Sequence, residues 1–123
     1  HREIISARKT GQERAKLALS MFSYRIKKYV GAYSVALGNV DAIIFTGGIG
    51  ENAKIVREMT CEGLDESIGA ILDRGLNNGN DREARFINKE DSKIKIAVIP
   101  TNEELEIAMQ TREAIEARVC RLQ

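Results

Sequence analysis

Val40-Asp41-Ala42-Ile43-Ile44-Phe45-Thr46-Gly47-Gly48-Ile49-Gly50-Glu51-Asn52 is the stretch from which the class of fold is read. Its first six residues are an apolar run of strand length and read as a buried strand. Closely spaced glycines then break the run, and a helix is expected to begin near Asn52 and continue to about Thr60. Ile55, Val56 and Met59 would face inward on that helix. A strand that stops at glycines and restarts as a helix leaves main-chain N–H groups free at the positive end of the helix dipole. That arrangement favours an anion such as a phosphate. Glycine has no Cβ, so a bulky ligand can approach the backbone directly. Taken alone, the same pattern also describes an ordinary tight turn.

A second junction of the same kind lies further on. Ile94, Ile96, Ala97, Val98 and Ile99 form the other convincing strand, which ends at Pro100. Thr101-Asn102-Glu103-Glu104 then opens the last helix, whose expected buried face is Leu105, Ala108, Met109, Ile115 and Val119. Thr101 and Glu104 have capping-box spacing, which accounts for Glu104. Glu103 is not needed for that box. It either complements the helix dipole or holds a magnesium ion beside a nucleotide. Phosphate donors at one strand end and a carboxylate at the other would together make one Mg-nucleotide cleft.

Around these junctions the chain reads as helical. Residues 2–8 suggest one or two turns, and Thr10 with Glu13 has capping-box spacing. Ala15, Leu19, Phe22, Ile26, Tyr29, Tyr33 and Leu37 recur at steps of three or four, one face of a long helix ending near Gly38-Asn39. Its tyrosines read as core or interface, and Arg14, Lys16, Arg25 and Lys28 as a solvated opposite face. Leu64, Ile68, Ile71 and Leu72 suggest a short helix. Asn77-Asn78-Gly79-Asn80-Asp81 reads as exposed loop, and Phe86-Ile87 as a short extended piece. The order α-β-α-β-α predicts an α/β fold with a mostly parallel sheet and helical crossovers. Two firm strands make a thin sheet, so further strands are expected from a missing part of the protein or from another copy.

Composition narrows the function. The 123 residues carry 19 basic and 18 acidic side chains, so no strong field points to nucleic acid or an anionic membrane. Trp is absent and aromatics are few, against a base-stacking surface. No apolar run approaches a membrane span. Cys61 and Cys120 lack CxxC spacing and His1 is the one histidine, which excludes a zinc site. Two thiols without a secretory signal point to the cytoplasm. The opening at His1 without Met reads as a cut inside something longer. Gly48-Ile49-Gly50-Glu51-Asn52-Ala53 also fits the GxGxxG/A dinucleotide pattern. That reading would need Asp65 or Asp73 as the ribose-binding acid, and neither ends a convincing strand. A Walker A loop is excluded, because no Gly-Lys-Ser/Thr follows.

The runs Asp41 to Asn52 and Val98-Ile99-Pro100-Thr101-Asn102-Glu103-Glu104-Leu105 resemble the C-terminal part of acetate kinases, with propionate kinases as close relatives. Arg25-Ile26-Lys27-Lys28-Tyr29-Val30-Gly31-Ala32-Tyr33 is similar to a long helix of the same enzymes. The resemblance implies an incomplete ribonuclease H-like domain of the sugar kinase, Hsp70 and actin group, with three earlier strands absent. It implies that Gly48, Ile49, Gly50, Glu51 and Asn52 lie against ATP or ADP. His1 and Arg2 would be the last members of an adenosine motif, and Glu103 would help to hold Mg2+, or Mn2+ in its place. The family's substrate arginines, catalytic aspartate and remaining phosphate loops have no counterpart in this sequence. The parent would move a phosphoryl group reversibly between ATP and acetate, giving acetyl phosphate and ADP, as a homodimer paired through this part. A non-catalytic nucleotide-binding or dimerisation module is the rival from another class.

Overall fold

Two long helices, a small sheet and a chain of short helices between the sheet's strands make up the described residues. The computed structural model describes residues 12–79 and 83–120, with backbone alone at Glu103 and residues 117–120. In order the elements are α1 (Glu13–Leu37), β1 (Ala42–Phe45), α2 (Gly47–Asn52), α3 (Lys54–Cys61), α4 (Leu64–Ile68), α5 (Arg74–Asn77), β2 (Arg85–Phe86), β3 (Lys95–Val98) and α6 (Glu103–Cys120). The expected turns over residues 2–8, the Thr10–Glu13 capping box and the Asn80-Asp81 end of the turn-rich loop lie outside the described residues.

The sheet has the order β1-β3-β2. β1 pairs with β3 in parallel, Ala42 beside Lys95 through Phe45 beside Val98. A parallel neighbour needs a long crossover, and α2 to α5 lie in that connection. β2 pairs with β3 antiparallel, Phe86 beside Ala97. The sheet is therefore mixed, not mostly parallel. The stretch between Phe86 and Lys95 is too short for a helical crossover, so the chain must return antiparallel.

One apolar cluster lies against the sheet: Phe45, Ile94, Ile96 and Val98 meet Cys61, Leu64, Ala70 and Ile87. A second joins α1 to α3, with Leu19, Ala53 and Val56 at its centre and Ile26, Ile49, Ile55 and Met59 around it. β3 is buried nearly throughout, whereas β1 alternates, hiding Phe45 and exposing Ile44. The reading of residues 40–45 as a fully buried strand is corrected accordingly. On β1 only one face is covered by the described residues.

Four further expectations change. Of the stripe on α1 only Ala15 and Leu19 are buried and Ile26 is half-buried, while Phe22, Tyr29, Tyr33 and Leu37 are exposed and Ser23, outside the stripe, is buried instead. Those tyrosines are not core; Tyr29 and Tyr33 stack on each other at the surface, ring centroids 6.3 Å apart. On α6, Leu105, Met109 and Ile115 are exposed rather than buried. The helix after Leu64 stops at Ile68, where Gly69 takes a left-handed φ of 76°. Ile71 to Asp73 run extended instead, through Lys89 N–H to the Ile71 carbonyl at 2.9 Å and Asp73 N–H to the Ile87 carbonyl at 2.8 Å. The asparagines after Asp73 are partly structural too, since Asn77 ends α5 and is buried. No described helix is long and apolar enough to cross a membrane.

Burial pushes the Cys61 thiol up from 9.0 to about 12, against the opposing pull of Lys27 and Arg57. A folded-state pKa raised above the unfolded one contributes stability that is complete below pH 9 and is lost as pH rises towards 12. Urea-unfolding midpoints measured between pH 8 and pH 11 are expected to fall more steeply for the native chain than for Cys61→Ala. Equal slopes would show that the thiol titrates freely.

Candidate functional site

Parallel pairing brings the two strand-to-helix junctions together. Phe45 and Val98 end their strands side by side, and the Ile99 N–H continues the ladder to the Phe45 carbonyl at 3.0 Å. The Thr46 hydroxyl donates to the Ile99 carbonyl at 2.8 Å. One oxygen of the Glu51 carboxylate accepts from the Thr101 N–H at 2.9 Å and from the Thr101 hydroxyl at 3.1 Å. Residues fifty or more positions apart in sequence thus form one hydrogen-bonded edge.

Within the first junction the helix starts earlier than expected, at Gly47 rather than near Asn52. Gly47 has a φ of 70°, in the left-handed region that favours glycine. Thr46 stands at the N-cap without capping through its side chain, because its hydroxyl reaches across to Ile99. The glycines that follow serve different ends. A Cβ on Gly50 would lie 3.0 Å from the Phe45 carbonyl carbon and 3.3 Å from its Cα, so glycine is what lets α2 sit on the end of β1. A Cβ on Gly48 would meet nothing within 4 Å. The chain itself makes no demand for glycine at position 48.

Other parts of the turn are fixed from behind. Asn52 donates through its side-chain amide to the Gly48 carbonyl at 3.0 Å, and Ile49 packs towards Leu19, Ala53 and Val56. The C-terminal carbonyls of so short a helix lack intrahelical partners. Arg57 supplies them. Its Nη1 donates to the carbonyls of Gly50 at 2.7 Å and Glu51 at 2.8 Å. Its Nε and Nη2 donate to the Asn77 side-chain and main-chain oxygens at 2.7 and 3.0 Å. Asn77 in turn donates to the Lys54 carbonyl at 3.1 Å. Arg57 has no exposed surface. Burial, with repulsion from Arg85 second, brings its pKa down to about 10, so it stays charged at neutral pH.

The second junction corrects the expected cap. Thr101 is committed to Glu51, and Asn102 caps α6 instead, its side-chain oxygen accepting from the Leu105 N–H at 3.0 Å. Glu103 is the first residue of α6. Of the residues singled out from sequence, Gly48, Ile49, Gly50, Glu51 and Asn52 all lie in α2 beside the start of α6. His1 and Arg2 lie outside the described residues. Asp73, the candidate ribose-binding acid of the dinucleotide reading, caps α5 through the Leu76 N–H at 2.9 Å. Among the described residues no group of three or more His, Cys, Asp or Glu could hold a metal by itself.

Sequence reasoning missed Thr46, Arg57 and Asn77. A signal for Arg57 was present: it follows Ala53 by four residues and precedes Thr60 by three, and both are buried. A charge at that phase of a short amphipathic helix faces inward.

Removing the guanidinium leaves buried carbonyls unpaired, so Arg57→Met is expected to cost about 3 kcal/mol of stability by urea denaturation. Gly50→Ala must shift α2 off Phe45 and is expected to cost about 1–3 kcal/mol. Losses below about 0.5 kcal/mol in both, the range of ordinary surface substitutions, would contradict this description of the turn.

Comparison with known proteins follows the same geometry. The sequence matches the acetokinase family over residues 1–109. It is 53% identical over 118 residues to an acetate kinase of Sulfurovum sp. (strain NBC37-1), covering 96% of this chain and 30% of that protein. In structure it is similar to the acetate kinase of Porphyromonas gingivalis, with a TM-score of 0.80, 46% identity, and coverage of 93% of this chain and 28% of that one. It is also similar to a propionate kinase from Francisella tularensis subsp. tularensis SCHU S4, with a TM-score of 0.75, 40% identity, and coverage of 87% and 27%. The chain spans about three tenths of the length of the curated relatives it matches. Since the family match covers most of its residues, the chain belongs to the acetokinase family.

Proposed function

We propose that this chain is the C-terminal part of an acetate kinase and supplies the nucleotide seat of a reversible phosphoryl transfer between ATP and acetate. The observation that carries the proposal is the shared edge: the glycine turn and the start of α6 meet through Thr46–Ile99 and Glu51–Thr101. The main chain from Gly48 to Asn52, with His1 and Arg2, would lie against ATP or ADP. Open space above Gly48, where the chain needs no glycine for itself, supports that use. Mg2+ would be held by Glu103 together with phosphate oxygens and water. A magnesium ion bound through one carboxylate and its nucleotide fits a site without a preformed acidic cluster. When bound, the ion neutralises charge on the phosphates.

Such transfers depend on positioning and charge neutralisation more than on covalent chemistry by the protein. This chain's share is orientation. Arg57 and Phe45 hold the turn, and Asn102 anchors the helix that begins at Glu103. The residues that would bind acetate and complete the reaction belong to the rest of the parent, which the relatives' greater length accommodates. The domain is read as part of a ribonuclease H-like fold, with further strands alongside β1, and the protein as cytoplasmic. The parent is read as a homodimer that covers exposed Tyr24, Tyr29 and Tyr33 on α1 and Leu105 on α6. A preference for propionate is the second reading, favoured by the likeness to the Francisella enzyme.

The test uses Gly48. The 123-residue chain is expected to bind Mg·ADP by calorimetry and to show no turnover of acetyl phosphate. Gly48→Ala is expected to keep the native unfolding midpoint and to weaken ADP binding by about tenfold, roughly 1.4 kcal/mol, because the new methyl occupies ligand space. Unchanged ADP affinity in Gly48→Ala would remove the nucleotide from this turn, and turnover by the chain alone would overturn the division of labour. A sedimentation measurement that finds only monomer would count against pairing through α1 and α6.

A further inference from the structure

Glu51 is held from both ends. Its carbonyl accepts from Arg57 Nη1 at 2.8 Å, and one oxygen of its carboxylate takes both the N–H and the hydroxyl of Thr101. The side chain therefore leaves the glycine turn and ends at the entrance to α6. A carboxylate left at the turn would repel a phosphate. Beside the first residues of α6 it meets the positive end of an eighteen-residue helix, where a negative charge is favourable. Thr46 makes a parallel link, hydroxyl to Ile99 carbonyl, but between residues next to the strands. The Glu51 link is the one that reaches two positions short of Glu103.

We propose that Glu51 is a positioning residue rather than a ligand contact: its carboxylate clasps the β3–α6 junction to the glycine turn and sets where α6 begins relative to that turn. This rests on the nucleotide reading above for its functional consequence, though not for its geometry. With phosphates at the turn and magnesium near the start of α6, the clasp fixes the spacing between the two. Losing it would weaken the contribution of magnesium to nucleotide binding and leave the metal-free nucleotide nearly unaffected.

Two variants of the 123-residue chain separate this from a general structural role. In Glu51→Gln the amide oxygen has two lone pairs and can still accept from both Thr101 donors; in Glu51→Ala nothing can. Hydrogen exchange at the Thr101 amide, followed by NMR, is expected to stay within about threefold of native in Glu51→Gln and to quicken about tenfold in Glu51→Ala. The gain in ADP affinity on adding Mg2+ is expected to persist in Glu51→Gln and to shrink about tenfold in Glu51→Ala, with metal-free ADP affinity held within about twofold in both. Native-like Thr101 exchange in Glu51→Ala would overturn the clasp. So would an equal loss of metal-free ADP affinity in both variants, since the carboxylate would then be touching the nucleotide. A native chain that binds no ADP would retire the nucleotide reading, and the Thr101 amide would still decide whether the clasp exists.

Discussion

Phe45 and Val98 stand side by side in parallel strands, and that pairing decides which loops share an edge. Antiparallel strands would send the glycine turn and the Pro100–Glu104 segment to opposite ends of the sheet. In parallel they emerge together, close enough for Thr46 to reach Ile99 and for Glu51 to reach Thr101. A turn at a strand end still needs backing, because a six-residue helix cannot satisfy its own last carbonyls. Arg57 provides that backing from α3. It is a buried cation whose hydrogen bonds go to neutral oxygens of Gly50, Glu51 and Asn77. Desolvation, with repulsion from Arg85 second, lowers its pKa, and the contacts replace the hydrogen bonds that the guanidinium would otherwise make to water.

The glycines show why a motif should be read one residue at a time. Gly47 answers to backbone conformation, Gly50 to close contact with Phe45, and Gly48 to neither. A position that the fold leaves free, on an exposed turn beside uncapped helix N–H groups, is where an external requirement is most readily placed. The same separation applies to the polar residues of α2. Asn52 ties back to Gly48 and Glu51 ties across to Thr101, so their side chains first organise the site.

Much of this was legible before the structure. Both strands follow from Ile-rich runs that stop short of Gly or Pro, and both strand-to-helix junctions lie where those runs end, although the first helix begins at Gly47 and not near Asn52. The reasons for the misses are physical. Periodicity reports an apolar stripe but not what covers it, so Tyr29 and Tyr33 on α1, which read as core or interface, and Leu105 on α6, which reads as core, stand exposed. A capping box is a local rule that loses to a better distant acceptor, as when Glu51 takes the Thr101 hydroxyl and leaves the cap to Asn102. Ile71 and Leu72 fit helical spacing, yet the segment runs extended and pairs with residues 87–89 through the Ile71 carbonyl and the Asp73 N–H. Arg57 was passed over because charge is ordinarily assigned to solvent, although its helical phase places it inside.

Titrating isotopically labelled chain with Mg·ADP and following the backbone amides tests the shared edge most directly. The expected result is concerted shifts, with one common affinity, in the amides of Gly47 to Asn52 and of Thr101 to Glu104. Shifts confined to one junction, or centred on the exposed face of α1, would contradict the assignment of both junctions to a single nucleotide seat.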